Sequence, residues 1–337
     1  MLNLLLVGVK GRGESWLRAI NASPKLTLAG CVDVATAHLE AVQAEYGVPA
    51  ERCFVDLQEA LETAKPDAVV ISSPPQFHPA MAVQAMNAGC HVLTEKPLAD
   101  TWDGCLAISE AARQTGKQVM VAQNYRYSRV MQTFRRCIAQ GELGSPKQAA
   151  VQFFQKEPVA TAGFRKRMRY PLVSDMAVHH FDLMRYLLGA EATAVLGMSW
   201  NPPWSPFEGD TSCIVHLTFQ AIGSDDPIHV AYTASNTAHG AHTPWNGDWQ
   251  IFCEGGAYVL RSNRVYISRD GAAELQEVPI VQDGLFDLDY MLDEFARSVS
   301  EAQEPETSVF DNLRTMAVVF QTIRSFDTGA QVAIEVE

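Results

Sequence analysis

The sequence predicts an α/β first half, a doubly wound parallel sheet with helices on both faces, followed by an α+β second half on a large, mostly antiparallel open sheet. Three observations point there. Short apolar runs alternate with helix-length stretches as far as residue 122. Strand-like runs then follow one another largely without helices between them, the pattern of antiparallel pairing. At 337 residues the chain exceeds what one hydrophobic core usually holds. The change of rhythm divides it into residues 1–123 and 124–337.

In the first half, Asn3 to Val7 reads as a strand and Gly13 to Ala22 as a helix. Thr27 to Val32 is a strand, with an Ala-rich helix from about Ala35 to Tyr46. Phe54-Val55 is a short strand, and Asp56 suits the N-cap of the next helix. Ala68 to Ile71 is an apolar strand, Pro79 to Ala88 a helix, and His91 to Leu93 a strand. Thr101 to Thr115 is a helix, and Val119 to Ala122 closes the series. In such sheets ligands bind beyond the carboxyl ends of the strands, which directs attention to the turns after Val7, Val32, Ile71 and Leu93.

In the second half a helix runs from about Ser128 to Gln140, and Gly141 to Pro146 breaks the chain. Strands are expected at Gln148 to Gln155, Thr193 to Trp200, Thr211 to Phe219, Pro227 to Thr233, Trp249 to Cys253 and Tyr258 to Arg261. Helices at roughly Val173 to Leu188, Phe286 to Ser300 and Ser308 to Asp327 would cover one face of that sheet.

Composition narrows the function. Hydrophobic residues are 47% and charged residues 19%, ordinary for a globular protein. The net charge of −13 provides no basic field for nucleic acid or an anionic membrane. The apolar start, Leu4 to Val7, is too short for a membrane span and has no basic flank. The seven cysteines are scattered with no C-x-x-C pair, which suits reduced thiols in a cytoplasmic protein. No metal-binding spacing is present, so no metal is expected.

The turn after the first strand is an imperfect G-x-G-x-x-G. Starting from Gly8, Lys10 stands in the second glycine's place and Gly13 is the third, with Gly11 and Arg12 between. Starting from Gly11, the third position is Trp16. The first register suits a glycine directly after the strand and another opening the helix. Lys10 then either turns away or supplies charge to a phosphate. Asp33 ends the second strand about 20 residues beyond Gly13, where an acid hydrogen-bonds the adenosine ribose. A carboxylate there repels a 2′-phosphate and favours NAD over NADP. Its other reading is the N-cap of the following helix.

Two later stretches are more specific: Ser72-Ser73-Pro74-Pro75-Gln76-Phe77-His78 after the fourth strand, and Thr94-Glu95-Lys96-Pro97-Leu98-Ala99 after the fifth. With Gln123-Asn124-Tyr125-Arg126-Tyr127, the Asp175 to Asp182 segment, Trp245 to Trp249 and Asp311 to Thr315, the chain resembles the Gfo/Idh/MocA oxidoreductases over essentially its whole length. The residues make physical sense on their own terms. Pro97 keeps Lys96 out of helical geometry just past a strand end. An ammonium mounted there can stabilise charge on a substrate oxygen as its proton leaves. Asp175 and His179, four apart, share a face if the segment is helical, so the carboxylate can orient and tune the imidazole.

The resemblance implies a Rossmann-type first domain with the cofactor at the domain junction. Its contacts would come from Gly8, Lys10, Gly11, Arg12, Gly13, Asp33, Ser72, Pro74, Glu95, Lys96, Pro97 and Gln123. His78 joins that set or is simply the helix residue before Pro79. The resemblance further implies hydride transfer between nicotinamide and a secondary alcohol of a sugar, cyclic polyol or sugar derivative. His179 would be the base, Asp175 its orienting partner and Lys96 the group polarising the carbinol oxygen. Asp182 would hold the segment, and a homodimer or homotetramer would form through the second domain's sheet. Phe164-Arg165-Lys166-Arg167-Met168-Arg169-Tyr170 is either solvated surface or a holder for an anionic or hydroxylated substrate. Tyr125 and Arg126 suit substrate contact or a hinge, and Trp245 and Trp249 a sugar-stacking wall or sheet core. Two other outcomes use the same scaffold: a redox-neutral NAD-dependent glycosidase, and a catalytically silent nucleotide-responsive regulator.

Overall fold

The computed structural model describes residues 1–157 and 163–335. The chain forms two compact units, Met1–Asn124 with Leu285–Leu313, and Tyr125–Gly284 with Arg314–Glu337.

The first unit is built on six strands, β1 (Leu2–Val7), β2 (Leu26–Val32), β3 (Cys53–Phe54), β4 (Ala68–Ile71), β5 (His91–Thr94) and β6 (Val119–Val121). They are parallel and ordered β3-β2-β1-β4-β5-β6, the doubly wound order for dinucleotide binding. The order explains the apolar runs. Leu4, Leu5 and Leu6 of β1 and Ala68 to Ile71 of β4 are fully buried at the centre. Each Leu, Val or Ile among them contributes about 1.5–3 kcal/mol of burial. The crossovers are α1 (Arg12–Ala22), α2 (Thr36–Tyr46), α3 (Leu57–Ala64), α4 (His78–Asn87) and α5 (Trp102–Thr115). Asp56 caps α3 by accepting the Glu59 N–H, as its position predicts.

The late segment Leu285–Leu313 belongs to this unit. Thr307 both accepts the Val121 N–H through its carbonyl and donates its hydroxyl to the Val121 carbonyl, 2.8 Å each. It thus closes the open edge of β6. The helix Asp287–Glu301 packs against α1 and is pinned by a Lys25–Asp293 ion pair.

The second unit carries a nine-stranded sheet. Its main strands are Gln148–Phe154, Ala190–Trp200, Ser212–Ala221, Pro227–Ser235, Asp248–Cys253, Gly256–Arg261 and Arg264–Arg269, with Gln276–Val278 and Val332–Ala333 at the two edges. All pairings are antiparallel except that of Gln148–Phe154 with Pro227–Ser235. The helix Arg129–Ala139 packs on the Gly256–Arg261 and Arg264–Arg269 strands, and Val178–Leu188 on Ala190–Trp200. On the last helix, Val309–Thr328, Ser325 accepts the Gly197 N–H. The opposite face is open, with Leu196, Met198 and Trp200 at alternate positions of one strand and Ile214 paired with Met198 on the next.

Candidate active site

The first unit has a groove of about 560 Å³ at the carboxyl ends of its strands, lined by Gly8, Lys10, Asp33, Ser72 and Pro74 among others. Those five residues, far apart in sequence, therefore share one site. Gly8 has φ +81°, and a Cβ there would come within 2.9 Å of the Ser72 carbonyl. A Cβ on Gly13 would approach the Gly8 carbonyl oxygen to 2.0 Å. Both positions demand glycine because two strand ends and a helix start converge there. Lys10 is exposed and pairs with the half-buried Glu14 one turn along the helix at 2.7 Å. Lys10 also lines the groove, with its ammonium held by Glu14.

Asp33 is not a helix cap, since α2 begins three residues later with Ala35 as its N-cap. Its carboxylate accepts the N–H groups of Val9 (3.1 Å) and Ala35 (3.0 Å), with the His38 ring 3.1 Å away. This holds both oxygens at the rim of the groove with acceptor capacity left for a diol. The Ser72 hydroxyl is buried with no partner among the described residues, as suits a group that meets a ligand. Glycine turn, carboxylate and unmatched hydroxyl together fit a dinucleotide. Val34, His38, Val55 and Phe77 also line the groove. Phe77 belongs to the Ser72–His78 stretch, whereas Val34, His38 and Val55 carry no sequence motif.

Glu95, Lys96 and Pro97 form the turn after β5. Glu95 is buried and accepts from Arg12 Nε (2.9 Å), Trp16 Nε1 (2.8 Å) and the Lys96 N–H (3.3 Å). The Arg12–Glu95 pair fixes the start of α1 to the Lys96 turn. His78 is fully buried, with Nδ1 3.1 Å from the Pro97 carbonyl oxygen and Nε2 2.7 Å from that of Ser73. Burial lowers its pKa more than the carbonyls raise it. A neutral ring has one N–H to give, and Ser73 is the nearer acceptor. His78 thus packs the Ser72–His78 loop against the Lys96-Pro97 turn, with one hydrogen bond to share between the two carbonyls. Gln123 is buried and neither amide atom has a partner among the described residues.

In the second unit Asp175 and His179 lie on one continuous helical segment, but its first turn, Leu172–Ala177, is π-helical before the α-helix Val178–Leu188. Single π-turns of this kind recur at functional sites. Asp175 is buried and pairs with Arg165 Nε at 2.7 Å, and Arg165 also lies 3.8 Å from Glu157. The two cations at the ends of the basic run are engaged, Arg165 by Asp175 and Arg169 by Asp327 at 2.6 Å. His179 is buried and stacked on Tyr125, ring centroids 4.0 Å apart and planes within 5°.

Asp182 holds the segment. It accepts from Arg126 Nε and Nη2 at 2.6 Å each and from the Thr315 hydroxyl at 3.1 Å, entirely within the interior. Arg126 is accordingly a buried strut. Trp249 is core at 1% exposure, whereas Trp245 is 46% exposed. Among the described residues no group of three His, Cys, Asp or Glu could hold a metal ion, and no helix is long and apolar enough to cross a membrane.

Family comparison agrees with this architecture. Residues 2–123 match the model for the oxidoreductase family with NAD-binding Rossmann fold, and residues 131–259 match the GFO/IDH/MocA C-terminal domain. The chain is similar to 4-carboxy-2-hydroxymuconate-6-semialdehyde dehydrogenase of Sphingobium sp., 26% identical with 91% of this chain and 93% of the relative covered. It is similar to scyllo-inositol 2-dehydrogenase (NAD(+)) of Bacillus subtilis, 27% identical over 88% of this chain and 86% of the relative. Its fold matches an Agrobacterium radiobacter oxidoreductase solved with NAD+, L-tartaric acid and magnesium, with TM-score 0.88, 18% identity and 99% and 98% coverage. The protein is an NAD-binding oxidoreductase with a Rossmann first domain and a mixed, mostly antiparallel second sheet. It belongs to the Gfo/Idh/MocA family.

Proposed function

We propose that the protein is an NAD-dependent dehydrogenase acting on a secondary alcohol of a sugar, cyclic polyol or sugar derivative. The observation that carries this reading is a buried imidazole, His179, stacked on Tyr125 one turn beyond an Arg165-held Asp175, in a chain whose other unit has a dinucleotide groove. The 27% identical scyllo-inositol 2-dehydrogenase supports the substrate class. Bound NAD supplies the hydride acceptor. His179 takes the hydroxyl proton and returns it in the reverse direction. Asp175 keeps that segment's charge fixed, and Lys96 hydrogen-bonds the carbinol oxygen and stabilises the alkoxide character that develops. Gly8, Gly13, Asp33 and Ser72 hold the cofactor, and Glu95 and His78 set the Lys96-Pro97 turn.

The test is a fluorescence titration with NADH and NADPH, followed by a screen of cyclic polyols and sugars with NAD. Tight NADH binding, weak NADPH binding and turnover of a ring-shaped polyol are expected. A cofactor that co-purifies and never exchanges, with glycoside cleavage and no net NADH, would replace this reading by the redox-neutral glycosidase. NADH binding without any turnover would favour the regulator.

The open sheet face with Leu196, Met198, Trp200 and Ile214 supports a homodimer or homotetramer, since monomers rarely expose contiguous apolar patches. Light scattering at micromolar protein, with Met198→Glu as control, tests it. The seven unbridged cysteines suit a reducing compartment such as the cytoplasm.

A further inference from the structure

We propose that Trp245 is a specificity-determining residue on which the C–H face of a ring-shaped substrate stacks, and that His180 positions it. This rests on the reading of His179 as the base of a sugar or polyol dehydrogenase.

The turn Pro244 to Gly247 is closed by the Gly247 N–H donating to the Pro244 carbonyl at 2.9 Å. The Asn246 carbonyl accepts the indole N–H of the buried Trp249 at 2.7 Å. The Trp245 carbonyl lies 3.0 Å from His180 Nε2, and His180 Nδ1 lies 2.9 Å from the Tyr232 hydroxyl. A carbonyl only accepts, so Nε2 carries the proton and Tyr232 donates to Nδ1. That neutral tautomer satisfies the whole chain. Just upstream, Thr243 exchanges two 3.0 Å hydrogen bonds with Phe154, its N–H to the Phe154 carbonyl and its hydroxyl accepting the Phe154 N–H. Gly247 has φ +79°, and a Cβ there would sit 2.9 Å from the Gln152 carbonyl oxygen. The turn is held by hydrogen bonds on both sides.

Such a mount is costly in conformational entropy. Ordinarily it is repaid by burying the side chain, yet the Trp245 ring is 46% exposed. A single exposed aromatic is unremarkable on a mobile loop, but here the backbone is secured from both sides and by two buried aromatic residues. The ring also continues the aromatic wall beside His179. Tyr125 stacks on His179 and meets His180 edge-on at 6.4 Å, Phe153 lies 4.7 Å from His180, and Trp245 lies 6.0 Å from Phe153. An indole face is electron-rich, and the C–H bonds on one side of a cyclic polyol present positive edges to it. An acyclic polyol cannot present that flat face without losing rotational freedom.

The experiment compares wild type, Trp245→Ala, Trp245→Phe and His180→Gln in the NAD-loaded enzyme, with scyllo-inositol, myo-inositol and D-glucose as ring probes and ribitol as the acyclic one. Trp245→Ala is expected to raise KM for the ring probe turned over best by about tenfold, with kcat and NADH affinity kept. KM for ribitol should move far less. Trp245→Phe should recover most of the ring preference, and His180→Gln should shift the ring-to-acyclic KM ratio in the same direction as Trp245→Ala. Wild type should also show tryptophan quenching by the ring probe that Trp245→Phe lacks. An unchanged KM ratio between ring and acyclic probes in Trp245→Ala and Trp245→Phe, with wild-type turnover intact, overturns the platform. Wild type that binds NADH and oxidises no probe overturns the dehydrogenase reading itself, and the platform with it.

Discussion

The phenol ring of Tyr125 lies flat against the imidazole of His179, 4.0 Å between centroids and 5° between planes. A stacked neighbour removes the ring-flip freedom that a catalytic imidazole must otherwise lose at the moment of reaction. With His179 as the proposed base, it would also offer a π face to the imidazolium that proton uptake produces. Tyr125→Ala is therefore expected to lower kcat by about tenfold, while Tyr125→Phe, which keeps the face, stays near wild type. Steady-state rates with a turned-over polyol decide it. Equal losses in the two variants would point to the hydroxyl instead.

Lys96→Ala and His179→Ala are each expected to reduce turnover by at least about 100-fold, the size of a general acid–base contribution. NADH affinity, read by fluorescence titration, should be largely kept. Normal turnover in either variant would remove that residue from the proton path.

Asp33 holds two backbone N–H groups and faces the groove. Asp33→Ala should weaken NADH by about tenfold, the worth of a charge-assisted hydrogen bond, and should narrow the gap to NADPH. Parallel titrations with both cofactors provide the answer, and an unchanged preference would dismiss the ribose assignment.

The Arg126–Asp182 pair is buried and bidentate. Removing one partner strands a charge, so Asp182→Asn and Arg126→Leu should each cost about 3–5 kcal/mol in urea unfolding. A loss below about 1 kcal/mol, the level of a surface pair, would show that the network is replaceable.

His91 Nδ1 accepts the Gln118 N–H at 3.0 Å, which requires that nitrogen to be unprotonated. Burial first, then Lys117, lowers its pKa, against a smaller opposing effect of Asp67. Below the ordinary value of about 6.5 the unfolded chain therefore binds more protons than the folded one. The stabilisation is complete above that pH and is lost as pH falls towards the depressed folded value. Urea midpoints at pH 8 and pH 5 should diverge more in wild type than in His91→Gln, and parallel behaviour would exclude this histidine.

How far the molecule could be read from its sequence depends on range. The strand at Leu4 to Val7, the glycines at 8 and 13, the Asp56 cap and the alternation of the first half are short-range patterns, and each sits where its pattern places it. Longer-range features carry no such mark. Nothing in Arg165 announces Asp175, and nothing in Thr307 announces Val121. The strand Gln276–Val278 is three residues at an edge, and Arg264–Arg269 is bounded by arginines at both ends, so neither stands out as an apolar run. The parallel pairing of Gln148–Phe154 with Pro227–Ser235 is invisible in patterns that specify faces and not partners. The π-turn at Leu172–Ala177 is likewise a helix to any periodicity. Arg126 and Arg12 have the composition of ligand contacts, and only their buried acidic partners show what they hold.

Thr307 seals the edge of β6, and the helix Asp287–Glu301 lies on α1, so the nucleotide-binding unit is completed by residues some way beyond its own sheet. On a ribosome adding about 5–20 residues per second, the six strands emerge roughly ten seconds or more before the segment that closes them. During that interval β6 is an unpaired edge in a crowded cell. The nascent chain waits half-finished, and its safety in that window depends on whatever shields the strand until the late helix arrives.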